Sequence, residues 1–261
     1  MSEKGRTRPE RQTLATDLDG TLIPLADNSR NEADLHILSA RIQEAGLRLV
    51  YVTGRHQESV QRAMKAFRLP QPELIICDVG ASMVQCPRPG VFTPDESYRN
   101  HLEQIVKGLP PSELEKKLPA MEGLRLQEAE SQGPFKLSFY AVADRLEILA
   151  ARLQSQLERL HAPYTLIHSV DPFTGNGLID LLPEGVSKAG ALSWWVEKEG
   201  VPAESIVFAG DSGNDLAALV AGYRAIVVAN ADRALARHVH DAHRQAGWKN
   251  RLYLAQNSAT S

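Results

Sequence analysis

The chain has 261 residues, 43% of them hydrophobic, with a formal net charge of −3 and a pI of about 6.3. That length and apolar content supply one substantial core plus a smaller unit, and the charge argues against nucleic-acid binding through a broad basic surface. No apolar run approaches the ~18 residues of a membrane span, so no membrane partner is expected, and the charged start Met1-Ser2-Glu3-Lys4-Gly5-Arg6 makes the cytoplasm the expected compartment.

In chain order, an apolar strand at 13–17 runs into Asp17-Leu18-Asp19-Gly20-Thr21, and a helix follows around 30–45. A strand at 47–52 ends in Thr53-Gly54-Arg55 and leads to a helix around 57–67. A strand at 73–78, containing Cys77, precedes a short hairpin-like piece through Val84. Cys77 and Cys86 read as reduced thiols without a catalytic part.

After Pro87-Arg88-Pro89-Gly90 the character changes. Helical stretches near 95–118 and 142–160 alternate with strand-like segments near 123–128, 135–141 and 164–168, which reads as an α/β unit with an antiparallel sheet. From 186 the earlier pattern resumes, with Ser187 as a helix N-cap and Lys188 in the first turn. Trp194 and Trp195 on that helix read as packing residues. A strand at 205–209 delivers Gly210-Asp211-Ser212-Gly213-Asn214-Asp215, followed by a helix at 214–221, a strand at 224–228 and a helix near 231–245. His238, His240 and His243 on the last helix fall on different faces and do not read as a metal site. The whole predicts an α/β fold: a doubly wound, Rossmann-like parallel-sheet core made of residues 1–86 and 186–261, with an α/β cap inserted at 87–185.

Ligands of such sheets gather at the carboxyl ends of the strands, where each polar cluster falls. Asp17 and Asp19 in one small site resist simultaneous ionisation, so a positive charge is expected between them; a hard divalent cation such as Mg2+ suits the oxygen ligands. Thr53-Gly54-Arg55 combines a hydroxyl, a small residue and a cation, the composition of a phosphate cradle. Lys188 opposes the helix dipole and asks for an anionic partner. Asp211 and Asp215 bring up to four acidic groups to one metal site. Taken singly, each has a plain structural reading: a solvated Asp-Gly turn, a surface lysine, acidic helix caps. Together they form a combination that separate accidents rarely produce.

In this order, Asp17-Leu18-Asp19-Gly20-Thr21, Thr53-Gly54-Arg55, Lys188 and Gly210-Asp211-Ser212-Gly213-Asn214-Asp215 resemble the four motifs of the haloacid dehalogenase superfamily of phosphatases. The run 179–188 looks like the branch with a large α/β cap inserted before the motif lysine, within which Gly210-Asp211-Ser212-Gly213-Asn214-Asp215 and Gly133-Pro134-Phe135-Lys136-Leu137-Ser138-Phe139-Tyr140 are most similar to sucrose-phosphatase-like enzymes. The resemblance implies Asp17 as nucleophile forming an aspartyl-phosphate, Asp19 as general acid and base, Thr53, Gly54 and Arg55 around the phosphoryl group, and Lys188 neutralising charge. It implies Mg2+ held by Asp17, the Asp19 backbone carbonyl and Asp211, with Asp215 at or beside it, and Asn214 orienting Lys188 or the phosphate. Lys136, Asn176 and Asp180 of the cap are the expected sugar contacts. The implied activity is hydrolysis of a phosphorylated sugar, with sucrose 6-phosphate and mannosylfructose phosphate equally admissible because Asp19-Gly20-Thr21 replaces the Asp-Asn-Thr usual in sucrose phosphatases. A phosphomutase or phosphotransferase shares the first steps, and a non-enzymatic phospho-receiver module shares the residue types; Asp19 and the cap-sized insertion weigh against the receiver. Functional coupling to a glycosyltransferase or synthase is a further expectation.

Overall fold

The computed structural model describes residues 11–23, 29–170 and 174–256. Aliphatic runs such as Leu74-Ile75-Ile76-Cys77, buried at every position, form strands covered on both faces. These strands are β1 (Thr13–Thr16), β2 (Arg48–Val52), β3 (Leu74–Cys77), β4 (Ser82–Arg88), β5 (Val91–Pro94), β10 (Ile206–Gly210), β11 (Arg224–Val227) and β12 (Leu252–Leu254). They make one sheet in the order β12-β11-β10-β1-β2-β3-β4-β5, parallel from β12 to β3 and antiparallel over the β4–β5 hairpin. The pleat sends Leu49, Tyr51 and Ile75 into one apolar cluster and Val50, Val52 and Ile76 into the other. Helices α1 (Ser29–Glu44) and α2 (Gln57–Ala66) supply Leu35, Ile42 and Val60 to the first, while α6 (Lys188–Glu199) supplies Leu192 and Trp195 to the second. Strand β1 lies between β2 and β10, so the chain leaves it in opposite directions and opens a crevice at its carboxyl end.

A second sheet, β6-β7-β9-β8, is built from β6 (Leu124–Leu126), β7 (Leu137–Ala141), β8 (Tyr164–Val170) and β9 (Gly177–Pro183), all antiparallel. On one face Leu137, Phe139, Ile179 and Leu181 join Leu102, Leu114, Leu149 and Leu153 from α3 (Glu96–Val106), α4 (Pro111–Lys117) and α5 (Leu146–Arg159). The alternate residues Ser138, Tyr140 and Asp180 point to the other face.

Several expectations need amendment. Strand β9 lies in 177–183, which reads in sequence only as the lead-in to Lys188, because its apolar run Leu178–Leu182 carries Asp180 in the middle. Strand β12 is a three-residue edge with Tyr253 and Leu254 exposed, too short to give a pattern. The helical stretch 95–118 divides at Lys107, whose φ is +39°, into α3 and α4. The helix expected over 214–221 is a 3-10 turn at 213–215 followed by the short α7 (Leu216–Leu219). The boundary expected at 86/87 falls inside β4, and pairing carries the eight-stranded sheet to Pro94. His243 on α8 (Arg233–Gln245) is buried against the Leu219 carbonyl and the edge of Trp248, a packing role.

The crossing from the first sheet to α3 is tied by Asp95. Its carboxylate accepts from the Ser97 hydroxyl, from Gln85 and from the Ser97 and Tyr98 backbone N–H groups, and pairs with Lys198 of α6. Lys198 also lies over Trp194, which packs edge-on against Tyr98. Although burial opposes it, these donors hold the Asp95 carboxyl down at about 2. Its stabilising contribution is therefore present above the ordinary value of 3.8 and is lost as pH falls toward 2. Asp95→Ala is expected to lower the unfolding free energy by about 1–2 kcal/mol, read from the urea midpoint at neutral pH.

Candidate active site

Strand β1 ends at Thr16, and Asp17 continues it, its backbone N–H donating to the Ala209 carbonyl of β10. The Asp17 carboxylate is thereby placed in the crevice and is 4% exposed. Lys188, at the first position of α6 beneath the Ser187 N-cap, brings its Nζ to 2.7 Å from Asp17 Oδ1 and 2.9 Å from Asp215 Oδ1. Two buried carboxylates thus share one buried ammonium. Burial pushes Asp17 up to about 7, with Lys188 pulling it down and Asp215 pushing it up. Burial alone would lower Lys188, but Asp17 and Asp215 prevail and hold it above its ordinary value.

Asp215 follows the turn that leaves β10. Its Oδ2 accepts from the backbone N–H groups of Asp211 and Ser212 and from the Ser212 hydroxyl, so both oxygens are engaged by protein donors. Gly210 is required here, since a Cβ would lie 2.7 Å from that of Asp215. Asp211 is half-buried, accepts from the Thr21 hydroxyl at 3.2 Å, and is pushed above its ordinary value by burial and by Asp215. Asp17, Asp211 and Asp215 each offer an oxygen, and these lie within 4.8 Å of one another. An all-carboxylate set at that spacing suits a hard divalent cation. Gly20, at φ +79°, passes so close that a Cβ would sit 2.4 Å from Asp211 Oδ2. Asn230 donates to the Gly20 carbonyl at 2.8 Å and approaches Asp211 Oδ2 at 3.4 Å.

Asp19 lies opposite, half-exposed. Arg55 grips it with two charge-assisted bonds, Nε to Oδ2 and Nη2 to Oδ1, each 2.6 Å, while Nη1 donates to Ser59 of α2. The Asp19 bond is the main cause that raises Arg55 above its ordinary value. Thr53 is buried at the end of β2, its hydroxyl accepting from the Arg55 backbone N–H, and Gly54 is exposed between them.

The structure therefore gathers Asp17, Asp19, Thr53, Gly54, Arg55, Lys188, Asp211 and Asp215 at adjoining strand ends. Asn214 is exposed and accepts from Ser212, and it is Asp215 that holds Lys188. In the cap, Asp180 accepts from the buried Ser138 hydroxyl at 2.5 Å on the sheet face opposite the apolar cluster, the face that also carries Tyr140 with Arg125 over its ring. Asn176 is exposed in the β8–β9 connection, its backbone N–H donating to Thr174. Lys136 is buried opposite Asp78. Thr21, Ser59 and Asn230 have supporting contacts the sequence does not reveal, because their partners lie far along the chain or a helical turn away.

The family model for sucrose-6F-phosphate phosphohydrolase matches residues 10–261. The chain belongs to that family, a branch of the haloacid dehalogenase superfamily of phosphatases. It is 27% identical over 237 residues to the mannosylfructose-phosphate phosphatase of Agrobacterium fabrum, covering 88% of each protein. It is 27% identical over 239 residues to sucrose-phosphatase 1 of Nicotiana tabacum, covering 88% of this chain and 52% of that one. A Nitrosococcus oceani protein is 34% identical over 248 residues, of which this chain spans 65% of the length. Several curated relatives are thus substantially longer than the matched region. The sucrose-phosphatase of Synechocystis sp. PCC6803, solved with sucrose and phosphate, shares the fold with a TM-score of 0.73 at 24% identity, over 95% of this chain and 92% of that one.

Proposed function

We propose that the protein is a Mg2+-dependent phosphatase acting on a disaccharide phosphate such as sucrose 6-phosphate or mannosylfructose phosphate. The observation that carries this is the buried Asp17–Lys188–Asp215 chain beside Asp211 at the end of β1, with Asp19 across the crevice. Lys188 fixes the Asp17 carboxylate and offsets charge as a phosphate approaches. An Asp17 oxygen forms a bond to phosphorus while the bond from phosphorus to the sugar oxygen breaks, and Asp19, released from Arg55, gives that oxygen its proton. Asp19 then takes a proton from the water that cleaves the aspartyl-phosphate. Thr53 holds phosphoryl oxygens. Asp17, Asp211 and the Asp19 carbonyl would hold Mg2+, which when bound neutralises charge on the transferring phosphoryl group. The cap-sheet face carrying the half-buried Tyr140 and Asp180 is the surface offered to the sugar, with the buried Ser138 hydroxyl holding Asp180.

Coupling to a glycosyl-transfer step is supported by the glucosylglycerol-phosphate synthase of Pseudomonas anguilliseptica, which is 29% identical over 222 residues, 27% of its own length. A phosphatase downstream of such a step would draw a reversible transfer forward.

The test is phosphate release from sucrose 6-phosphate, mannosylfructose phosphate, trehalose 6-phosphate, hexose monophosphates and an aryl phosphate, with Mg2+ and with a chelator. The expected result is a Mg2+-dependent preference for one disaccharide phosphate. Turnover of monosaccharide phosphates alone would overturn the substrate class, and no release from any ester would overturn the phosphatase reading.

A further inference from the structure

Beyond β3 the chain does something costly. Asp78, Val79 and Gly80 take φ values of +53°, +58° and +102° in succession, and two of the three carry side chains, one of them β-branched. Left-handed backbone at such residues is retained only where the surroundings enforce it, and it concentrates at functional sites. The surroundings here are the phosphate-side loop, the cap and the helix of Lys188.

The backbone N–H of Asp78 donates to the Arg55 carbonyl at 2.9 Å, and that of Val79 donates to the Thr53 carbonyl at 3.1 Å. The strained turn therefore holds Thr53-Gly54-Arg55 by its main chain. Gly80 packs so tightly on α6 that a Cβ would lie 2.3 Å from the Ser187 carbonyl oxygen, and its own carbonyl accepts from the Tyr98 hydroxyl of α3 at 2.6 Å. From the foot of β7, Lys136 reaches into the same junction and stands 3.6 Å from Asp78 Oδ1, both side chains less than a tenth exposed. That Asp78 oxygen is buried and has no hydrogen-bond partner. Burial pushes the Asp78 carboxyl up, and Lys136 is the strongest influence pulling it back.

We infer that Lys136 and Asp78 are positioning residues: the cap's lysine, seated on Asp78, locks the 78–80 turn and through it the placement of Thr53 and of the Arg55 fork on Asp19. Lys136 then serves the chemical step for every ester and does not read the sugar. A buried ion pair suits this task because losing one partner strands the other charge, which makes the seated arrangement distinct from any looser one. A displacement of the phosphate-side loop by a fraction of an ångström is enough to slow the reaction.

Lys136→Met and Asp78→Asn, with the double variant and Lys136→Arg, test the assignment in the full chain. The kinetic arm rests on the phosphatase reading; amide hydrogen exchange does not. Lys136→Met is expected to lower kcat about tenfold for a disaccharide phosphate and for an aryl phosphate alike, with KM changed by less than about twofold. The double variant should be no slower than Lys136→Met, and Lys136→Arg should recover part of the rate. Exchange at the Asp78 and Val79 amides should rise in Lys136→Met, although the substitution lies in the cap. A KM increase confined to the disaccharide ester would make Lys136 a sugar contact and overturn the inference, as would additive losses in the double variant or unchanged exchange at 78–79. If the wild-type protein hydrolyses neither ester, the phosphatase reading fails and the exchange result alone decides the coupling.

Discussion

Asp17→Asn is expected to reduce phosphate release by roughly 10^4-fold or more while leaving the protein as thermally stable as the wild type, or more so. The activity loss follows from chemistry: an amide cannot form the acyl phosphate, and of the neighbouring carboxylates Asp215 is engaged by Lys188 and the 211–212 backbone while Asp19 is gripped by Arg55. The stability follows from the electrostatics of the site. Asp17 and Asp215 are both buried around Lys188, and burial together with Asp215 raises Asp17 to about 7. The amide keeps the shape and can still accept from Lys188 while removing one of two like charges, and Asp215 alone balances the ammonium. The sign of the pH dependence separates this from generic tolerance. A carboxyl whose native pKa lies above its unfolded value contributes stability that is complete below 3.8 and is lost as pH rises through about 7. In a chelator, thermal unfolding of wild type should therefore fall behind that of Asp17→Asn as pH rises across this window. Phosphate release and thermal melts across pH check both halves. Retained turnover would move the nucleophile elsewhere, and a large drop in melting temperature would mean that the charge of Asp17 holds the fold together.

What the sequence discloses here is what is local. The buried strands announce themselves through continuous aliphatic runs, and the motifs fall at strand ends because that is where a doubly wound sheet presents side chains. Asp17, Thr53, Lys188 and Asp211 can be found that way. Pairings between them are a different matter, since they are set by tertiary approach. Lys188 meets Asp17 across 171 residues, and Asp19 meets Arg55 across 36. Composition marks Thr53-Gly54-Arg55 as a phosphate cradle, but the Arg55 fork is spent on Asp19, and only geometry reveals this. Asp215 and Asn214 are adjacent in sequence, and the turn after β10 decides which of them faces Lys188. Lys136 reads as a sugar contact until the strained turn at 78–80 supplies its partner. Strand β9 escapes notice because Asp180 interrupts its apolar run between Ile179 and Leu181, which face the cap core.

Lys188→Met is expected to be destabilising as well as inactivating, and in this it contrasts with Asp17→Asn. Lys188 is 1% exposed and is the sole cation bonded to the carboxylates of Asp17 and Asp215 among the described residues. A methionine fills most of its volume but leaves two buried carboxylates facing one another. Removing one side of a buried ion pair costs about 3–5 kcal/mol, which for a chain of this size corresponds to a fall in melting temperature of roughly 6–20 °C. The loss arises from stranded charge and not from a cavity, so it should be reversible by removing charge. Lys188→Met/Asp17→Asn should melt higher than Lys188→Met alone, although each substitution by itself abolishes turnover. Adding Mg2+ should also raise the melting temperature of Lys188→Met by more than it raises that of wild type, since the carboxylates of Asp17 and Asp211 then have another cation to share. Thermal unfolding of the three variants, with Mg2+ and with a chelator, measures all of this in one series. If the double variant melts no higher than Lys188→Met, packing around the lysine stem and not charge pairing sets the stability of this site.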